Sequence, residues 1–470
     1  MSLTLTRHLI AGLFSMGVLV ACGGGGSSDE RPIDDPPSGQ TPPPPAPPVE
    51  TPGGAECSVS AQNAWVYDSL QDFYLFYDEV PQLDPDTFDS PEAVLEAGRF
   101  LERDPFSFLT DVGGNSLAFD EGRDFGLGFE ARFDDQRRVF ASLVQPQSPL
   151  GLAGLERGDR IVDIDGRDPA ETLRDRTYVS ENLVGVPERP GRSLWTIEPR
   201  NGGASRQIEV VAAEFAIQTV PYTAVLSNAA FDGVVGYLVF TSFLGTSEDE
   251  LDAVFADFAA RGVTELVLDL RYNRGGFIRV AASLASRIAG NALAGERLYD
   301  YQFNDKYRQK DFTLAFAPVT DSLDLSRVIV LTTPSTASSS EIVASGLAPY
   351  IEVVTVGSRT AGKPYVQSAN DRCGARLFAV EAEGVNADRV SVFGGIEPTC
   401  SAQDDLSADF GLNPVPGTDG FRAEGMLNAA LGFLTRGACA SAPAASATAR
   451  RASAATTLAY PAQPRPYAIR

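Results

Sequence analysis

From about residue 216 to residue 440 the chain alternates between strand and helix signals, and this alternation limits its fold more than any other feature. Val234 to Phe243 reads as a strand, Glu248 to Arg261 as an amphipathic helix, Thr264 to Leu270 as a strand, and Ile278 to Ala289 as a helix. Arg327 to Leu331 is again a strand, Ser339 to Leu347 a helix, and Glu352 to Val356 a strand. Strands alternating with helices predict an α/β domain, a mostly parallel sheet covered by helices. In such sheets chemistry sits beyond the carboxyl ends of the strands. Three unusual stretches fall there: Asp269-Leu270-Arg271-Tyr272-Asn273-Arg274-Gly275-Gly276, Thr336-Ala337-Ser338-Ser339-Ser340-Glu341, and Gly362-Lys363.

The rare residues narrow the chemistry. The only histidine is His8, inside a segment read below as cleaved, so the mature chain has none to build a Ser-His-Asp triad, a Cys-His pair or a histidine-ligated metal site. Lysine occurs only as Lys306, Lys310 and Lys363, and arginine carries nearly all the positive charge. Arginine cannot be deprotonated in a protein, whereas a buried lysine can act as a base. A formal net charge of -24 argues against a nucleic-acid partner. No metal and no cofactor is expected.

Residues 1–22 have the pattern of a lipoprotein signal: Arg7, an apolar run from Leu9 to Ala21, then Leu19-Val20-Ala21-Cys22, which resembles a bacterial lipobox. Cys22 would become the lipid-bearing first residue. Gly23 after it is not the aspartate that signals inner-membrane retention, which points to the periplasmic face of an outer membrane. Residues 23–55 form a Gly/Ser/Pro-rich linker, residues 56–115 a small helical domain, and residues 441–470 an Ala/Ser-rich tail expected to be disordered. In an oxidising compartment the remaining cysteines suggest two disulfides, with three possible connectivities. The favoured pairs are Cys373–Cys400, closing one insertion, and Cys57–Cys439, joining the two ends of the folded region.

Residues 116–215 form a second module. Gly126-Leu127-Gly128-Phe129, the strand-like Val139 to Val144, Ala153-Gly154-Leu155 and Gly158-Asp159 follow at a spacing that resembles a PDZ domain. That resemblance implies that the backbone of Gly126, Leu127, Gly128 and Phe129 binds a peptide's terminal carboxylate while the peptide adds as a strand.

A serine hydroxyl needs a base to become a nucleophile. With lysine as the base, its pKa must fall from about 10.4 towards 7–8, about 4 kcal/mol against the ammonium form. None of the residues beside Lys363 is acidic: Thr360, Ala361, Gly362, Pro364, Tyr365 and Val366. Ser338 with Glu341 also has the pattern of a helix capping box.

On these residues the chain resembles the carboxyl-terminal processing peptidases, or tail-specific proteases. The resemblance spans roughly residues 60 to 435. It implies a crotonase/ClpP-like protease core (residues 216–440) carrying a PDZ domain. Ser338 takes the nucleophile's place and Lys363, 25 residues on in a Gly-Lys pair, that of the general base. Gln367 takes the place of a residue that positions the lysine. Ser339 with Gly275 or Gly276 takes the oxyanion-binding positions. The implied function is a serine endopeptidase acting on proteins or peptides with exposed C-termini, without metal or nucleotide. The alternative is a non-catalytic peptide- or ligand-binding lipoprotein on the same fold. Ser339 stands where the family commonly has alanine, and Pro364 where it commonly has glycine.

Overall fold

A strand covered on both faces must be apolar throughout. Val235–Val239 and the interiors of Glu265–Asp269 and Arg327–Thr332 meet that condition, and the three strands lie side by side in a six-stranded sheet. The structure, a computed structural model, describes residues 57–226, 233–414 and 421–439. The sheet order is 222–226, 235–239, 265–269, 327–332, 352–357 and 400–401. Its first strand runs antiparallel and the others are parallel.

The period of two along each strand divides the core. Leu238, Leu266, Leu268, Val328 and Val330 face helices Ser247–Ala260, Ile278–Ala289 and Ser339–Leu347. Tyr237, Val239, Val267, Ile329 and Leu331 face helix Gly425–Arg436 through Met426, Leu427 and Phe433. Each such fully buried aliphatic side chain contributes about 1.5–3 kcal/mol.

A second, antiparallel sheet, in the order 312–315, 297–303, 382–386 and 365–366, has no counterpart in the expected pattern. Its strand Tyr365–Val366 follows Lys363 almost at once, so it fixes the chain on the far side of that lysine. Residues 129–211 build a five-stranded antiparallel sheet around Leu127, Phe129, Ile161 and Trp195, with Phe129–Phe133 at its edge.

The N-terminal helices Val59–Asp72 and Pro91–Gly98 pack Trp65, Val66, Leu70 and Val94 with Tyr74 and Phe106 onto Tyr365, Leu377 and Val380. Ser90 caps the second helix, Pro91 opens it and Gly98 ends it. Gly98 packs so closely that an added Cβ would fall 2.6 Å from Leu70 Cδ1.

Both expected disulfides are corrected. The bonds are Cys57–Cys373 and Cys400–Cys439, not Cys373–Cys400 and Cys57–Cys439. Cys373 lies in the turn of hairpin 370–378, whose second strand pairs with Phe108–Asp111 and so lies beside the N-terminal helices. Cys400 enters the main sheet beside Val356, next to the helix that ends just before Cys439. The expected signal at 1–22 with Cys22, the linker 23–55 and the tail 441–470 lie outside the described residues. Among the described residues no helix is long and apolar enough to cross a membrane.

Candidate active site

The three unusual stretches meet because the strands before them are neighbours. Strands 265–269, 327–332 and 352–357 are adjacent and parallel, so the loops after them emerge at one edge of the sheet. Hydrogen bonds then lock two of the loops together. Thr336 Oγ1 donates to Leu270 C=O at 2.7 Å, Ala337 N–H to Asn273 C=O at 3.1 Å, and Ser340 Oγ to the same carbonyl at 2.9 Å.

The three consecutive serines differ in environment. Ser339 and Ser340 are wholly buried, and their hydroxyls donate to Gly276 C=O at 2.7 Å and Asn273 C=O at 2.9 Å. Ser338 reaches the surface. It is the N-cap of helix Ser339–Leu347 and takes φ 55° and ψ -117°. A positive φ in a non-glycine residue is uncommon and strained, and such residues cluster at functional sites. The arrangement is a strand, a sharp turn and a helix, with a strained serine at the turn.

Glu341 joins this serine to the lysine. The carboxylate is fully buried and accepts four hydrogen bonds. Oε1 takes Thr360 Oγ1 at 2.5 Å and Gly362 N–H at 2.7 Å. Oε2 takes Ser338 N–H and Lys363 N–H, each at 2.9 Å. The backbone nitrogens of Ser338 and Lys363 can therefore be no further apart than twice that distance. Burial pushes the Glu341 carboxyl upward, and the four donors pull it the other way. The Glu341 half of the capping box that the sequence suggested is made, and it is also the clamp between the two loops.

Lys363 is partly exposed at its surface, yet desolvation brings its amine down to about 8 against the opposing pull of Asp104 and Glu341. Its Nζ lies 5.9 Å from the centre of the Phe106 ring. Gly362 before it is packed tightly, since an added Cβ would fall 2.5 Å from Gly395 N. Gln367 directs both hydrogens of its amide to backbone carbonyls, Phe106 at 3.0 Å and Phe378 at 2.8 Å. Any bond from Gln367 to the lysine amine must therefore use Oε1.

Opposite Ser338 runs the Gly275-Gly276 backbone. A Cβ at Gly275 would lie 2.8 Å from Ser338 Cβ and 3.1 Å from Ser339 N, so only glycine fits. Gly275 N–H donates to Asn273 Oδ1 at 2.9 Å. Among the described residues Ser339 N–H and Gly276 N–H have no hydrogen-bond partner. For Ser339 that follows from its place at the first turn of a helix.

Two family models match the chain, Peptidase family S41 over residues 234–401 and the Peptidase S41 N-terminal domain over residues 61–108. Both matched regions are thus similar to peptidase family S41. Among similar proteins, a carboxyl-terminal-processing protease of Synechocystis is 26% identical over 54% of this chain and 56% of its own length. The chloroplastic carboxyl-terminal-processing peptidase 1 of Arabidopsis thaliana is 26% identical over 64% of this chain and 58% of its own. The matches thus span less than two thirds of these curated relatives. A Bacteroides fragilis crystal structure described as an S41 protease superposes with a TM-score of 0.58 at 26% identity, covering 72% of this chain and 90% of that one. The mixed α/β fold is that of S41 proteins. The S41 match over 61–108 includes Asp104 and Phe106, which sequence reasoning passed over. Their signal is the Asp104-Pro105-Phe106-Ser107 turn, in which an Asp side chain binds the backbone two residues on.

Proposed function

We propose that this chain is a serine endopeptidase working through a Ser338–Lys363 dyad. The observation that carries the reading is the single oxygen of Glu341 that accepts both Ser338 N–H and Lys363 N–H. It holds a strained, surface-reaching serine beside a lysine whose ammonium form is disfavoured. Lys363 takes the hydroxyl proton as Ser338 Oγ attacks the scissile carbonyl, then gives it to the leaving amine. Water hydrolyses the acyl-enzyme. The developing oxyanion is bound by Ser339 N–H, at the positive end of its helix, and by Gly276 N–H. Gly275 N–H is already directed to Asn273.

Residues 116–215 act as a PDZ domain in this reading. Support comes from the open edge of strand Phe129–Phe133 beside the Gly126-Leu127-Gly128-Phe129 loop, where a substrate's C-terminal segment adds as a further strand. The names of the relatives fit substrates recognised by their C-termini. Cys22 anchors the chain by lipid to the cell envelope, on the periplasmic face of the outer membrane. Loss of palmitate incorporation in Cys22→Ser checks the anchor, and incorporation that persists would refute it.

The dyad is tested by cleavage of an unfolded protein. Ser338→Ala and Lys363→Ala are expected to abolish it while folding persists. Full activity in either would exclude the dyad, and activity lost in Ser339→Ala but kept in Ser338→Ala would move the nucleophile. A non-catalytic binder gains no support from a site in which both serine and lysine are present.

A further inference from the structure

We propose that Asp104, carried by the N-terminal module, is a positioning residue for the Lys363 amine. Resting on the dyad reading above, the inference adds a second polypeptide segment to the site. Asp104 is wholly buried. Its Oδ1 accepts Phe106 N–H at 2.9 Å and Ser107 N–H at 2.8 Å. Its Oδ2 accepts Tyr74 Oη–H at 2.9 Å and the Ser107 hydroxyl. All four donors are neutral, and no salt bridge to Asp104 occurs among the described residues. A buried carboxylate is normally paired with a cation.

The turn this carboxylate closes carries the ring nearest to the lysine amine that the structure gives. The Phe106 ring stands 5.9 Å from Lys363 Nζ and 5.9 Å from the Tyr365 ring. Phe106 C=O accepts Gln367 Nε2 at 3.0 Å, and Ser107 Oγ accepts Val380 N–H at 3.0 Å. The charged groups around the pair are few. The carboxylates that act electrostatically on Lys363 are Asp104 and Glu341. Behind Asp104, Arg99 reaches Ser107 C=O at 3.0 Å and acts on Tyr74. Farther out, Arg103 pairs with Glu383 at 2.9 Å and approaches Tyr365.

This places an unneutralised negative charge near the atom that becomes cationic during reaction. When Ser338 Oγ bonds to the carbonyl carbon, its proton moves to the Lys363 amine. Asp104 neither gives nor takes a proton; it stabilises the ammonium that forms and steers the amine. Preorganised charge aimed at charge that develops is the most effective form of electrostatic catalysis. The N-terminal module is therefore part of the active site and not only a cover.

The test is the pH dependence of kcat/KM on an unfolded protein substrate, with the full chain. Asp104→Asn keeps the shape, and Tyr74 and Ser107 hydroxyls can turn to accept from the new amide. Loss of the carboxylate is expected to move the acid limb down by about one pH unit and to lower kcat/KM on the plateau about tenfold. Tyr74→Phe, which removes a hydrogen bond but no charge, should lower stability without moving the limb downward. A limb unchanged in Asp104→Asn overturns the inference. Should that variant not fold, Ser107→Ala carries the test: stripping a donor concentrates the carboxylate's charge and should move the limb upward, and an unmoved limb counts against Asp104. If Lys363→Ala cleaves like the wild type, the dyad itself falls; if it is inactive while the limb stays fixed in Asp104→Asn, only the role of Asp104 falls.

Discussion

Replacing Lys363 by methionine should destroy activity and stabilise the protein. Burial brings the amine from 10.5 to about 8. The native state therefore disfavours the ammonium by roughly 3 kcal/mol relative to the unfolded chain. The sign follows from proton counting. The unfolded chain keeps this proton up to about 10.5, while the native state releases it through about 8. Between those values the unfolded state binds more protons, so wild-type stability rises with pH across that window. Below pH 8 the whole penalty is present. Methionine has a similar length and no charge, so Lys363→Met should gain up to about 3 kcal/mol at pH 7, less whatever solvent at the partly exposed side chain screens away. By pH 10 the gain should shrink to about 1 kcal/mol or less. Urea unfolding of both proteins at pH 7 and pH 10, with equal slopes, measures this directly. A methionine variant no more stable than wild type at pH 7, or a gain identical at both pH values, would refute the claim that the amine is held against its charged state.

Gly275→Ala would bring a Cβ to 2.8 Å from Ser338 Cβ at a backbone φ of 102°. It should cost about 1–2 kcal/mol of stability but far more of kcat, seen by comparing urea midpoints with turnover. Glu341→Gln must turn its amide NH2 towards at least one backbone N–H, that of Gly362 when the Thr360 hydroxyl turns to accept, and leave it unpaired, for a loss of about 1–3 kcal/mol in urea unfolding and a fall in kcat. Cys57→Ser opens a cross-link between positions 316 residues apart and Cys400→Ser one between positions 39 apart. Each should cost about 2–5 kcal/mol in urea unfolding under oxidising conditions. Only the first loosens the module that carries Asp104 and Phe106, so it should also lower cleavage more.

Much of the central sheet was legible, because strands buried on both faces and helices with one apolar face repeat with periods that sequence displays. Helices Ile278–Ala289 and Ser339–Leu347 occur with the expected bounds. The candidate site stretches were legible as strand-end loops, and the family resemblance singled out Ser338 and Lys363 by their spacing. What was not legible depends on distances between remote segments. Glu341 read as a helix cap, and nothing local says that the same oxygen reaches Lys363 N–H, because that bond needs the next strand to return alongside. Asp104 precedes the lysine by 259 positions, and only the packing of Phe106 and Tyr74 against Tyr365 and Val380 brings it near. The disulfides failed for the same reason. Hairpin 370–378 pairs with Phe108–Asp111, which no count of intervening residues discloses. The antiparallel sheet through Arg297–Phe303 went unread because its partners are short and scattered.

The central claim, a serine made nucleophilic by a lysine, is tested most directly by mass-spectrometric mapping of a serine-directed fluorophosphonate probe on wild type and Lys363→Ala across pH 6 to 10. The adduct should sit on Ser338 in the wild type, its rate of formation rising with pH through about 8, and be absent in Lys363→Ala. An adduct on Ser339 or Ser340, or labelling of Ser338 that is as fast without the lysine as with it, would contradict the account.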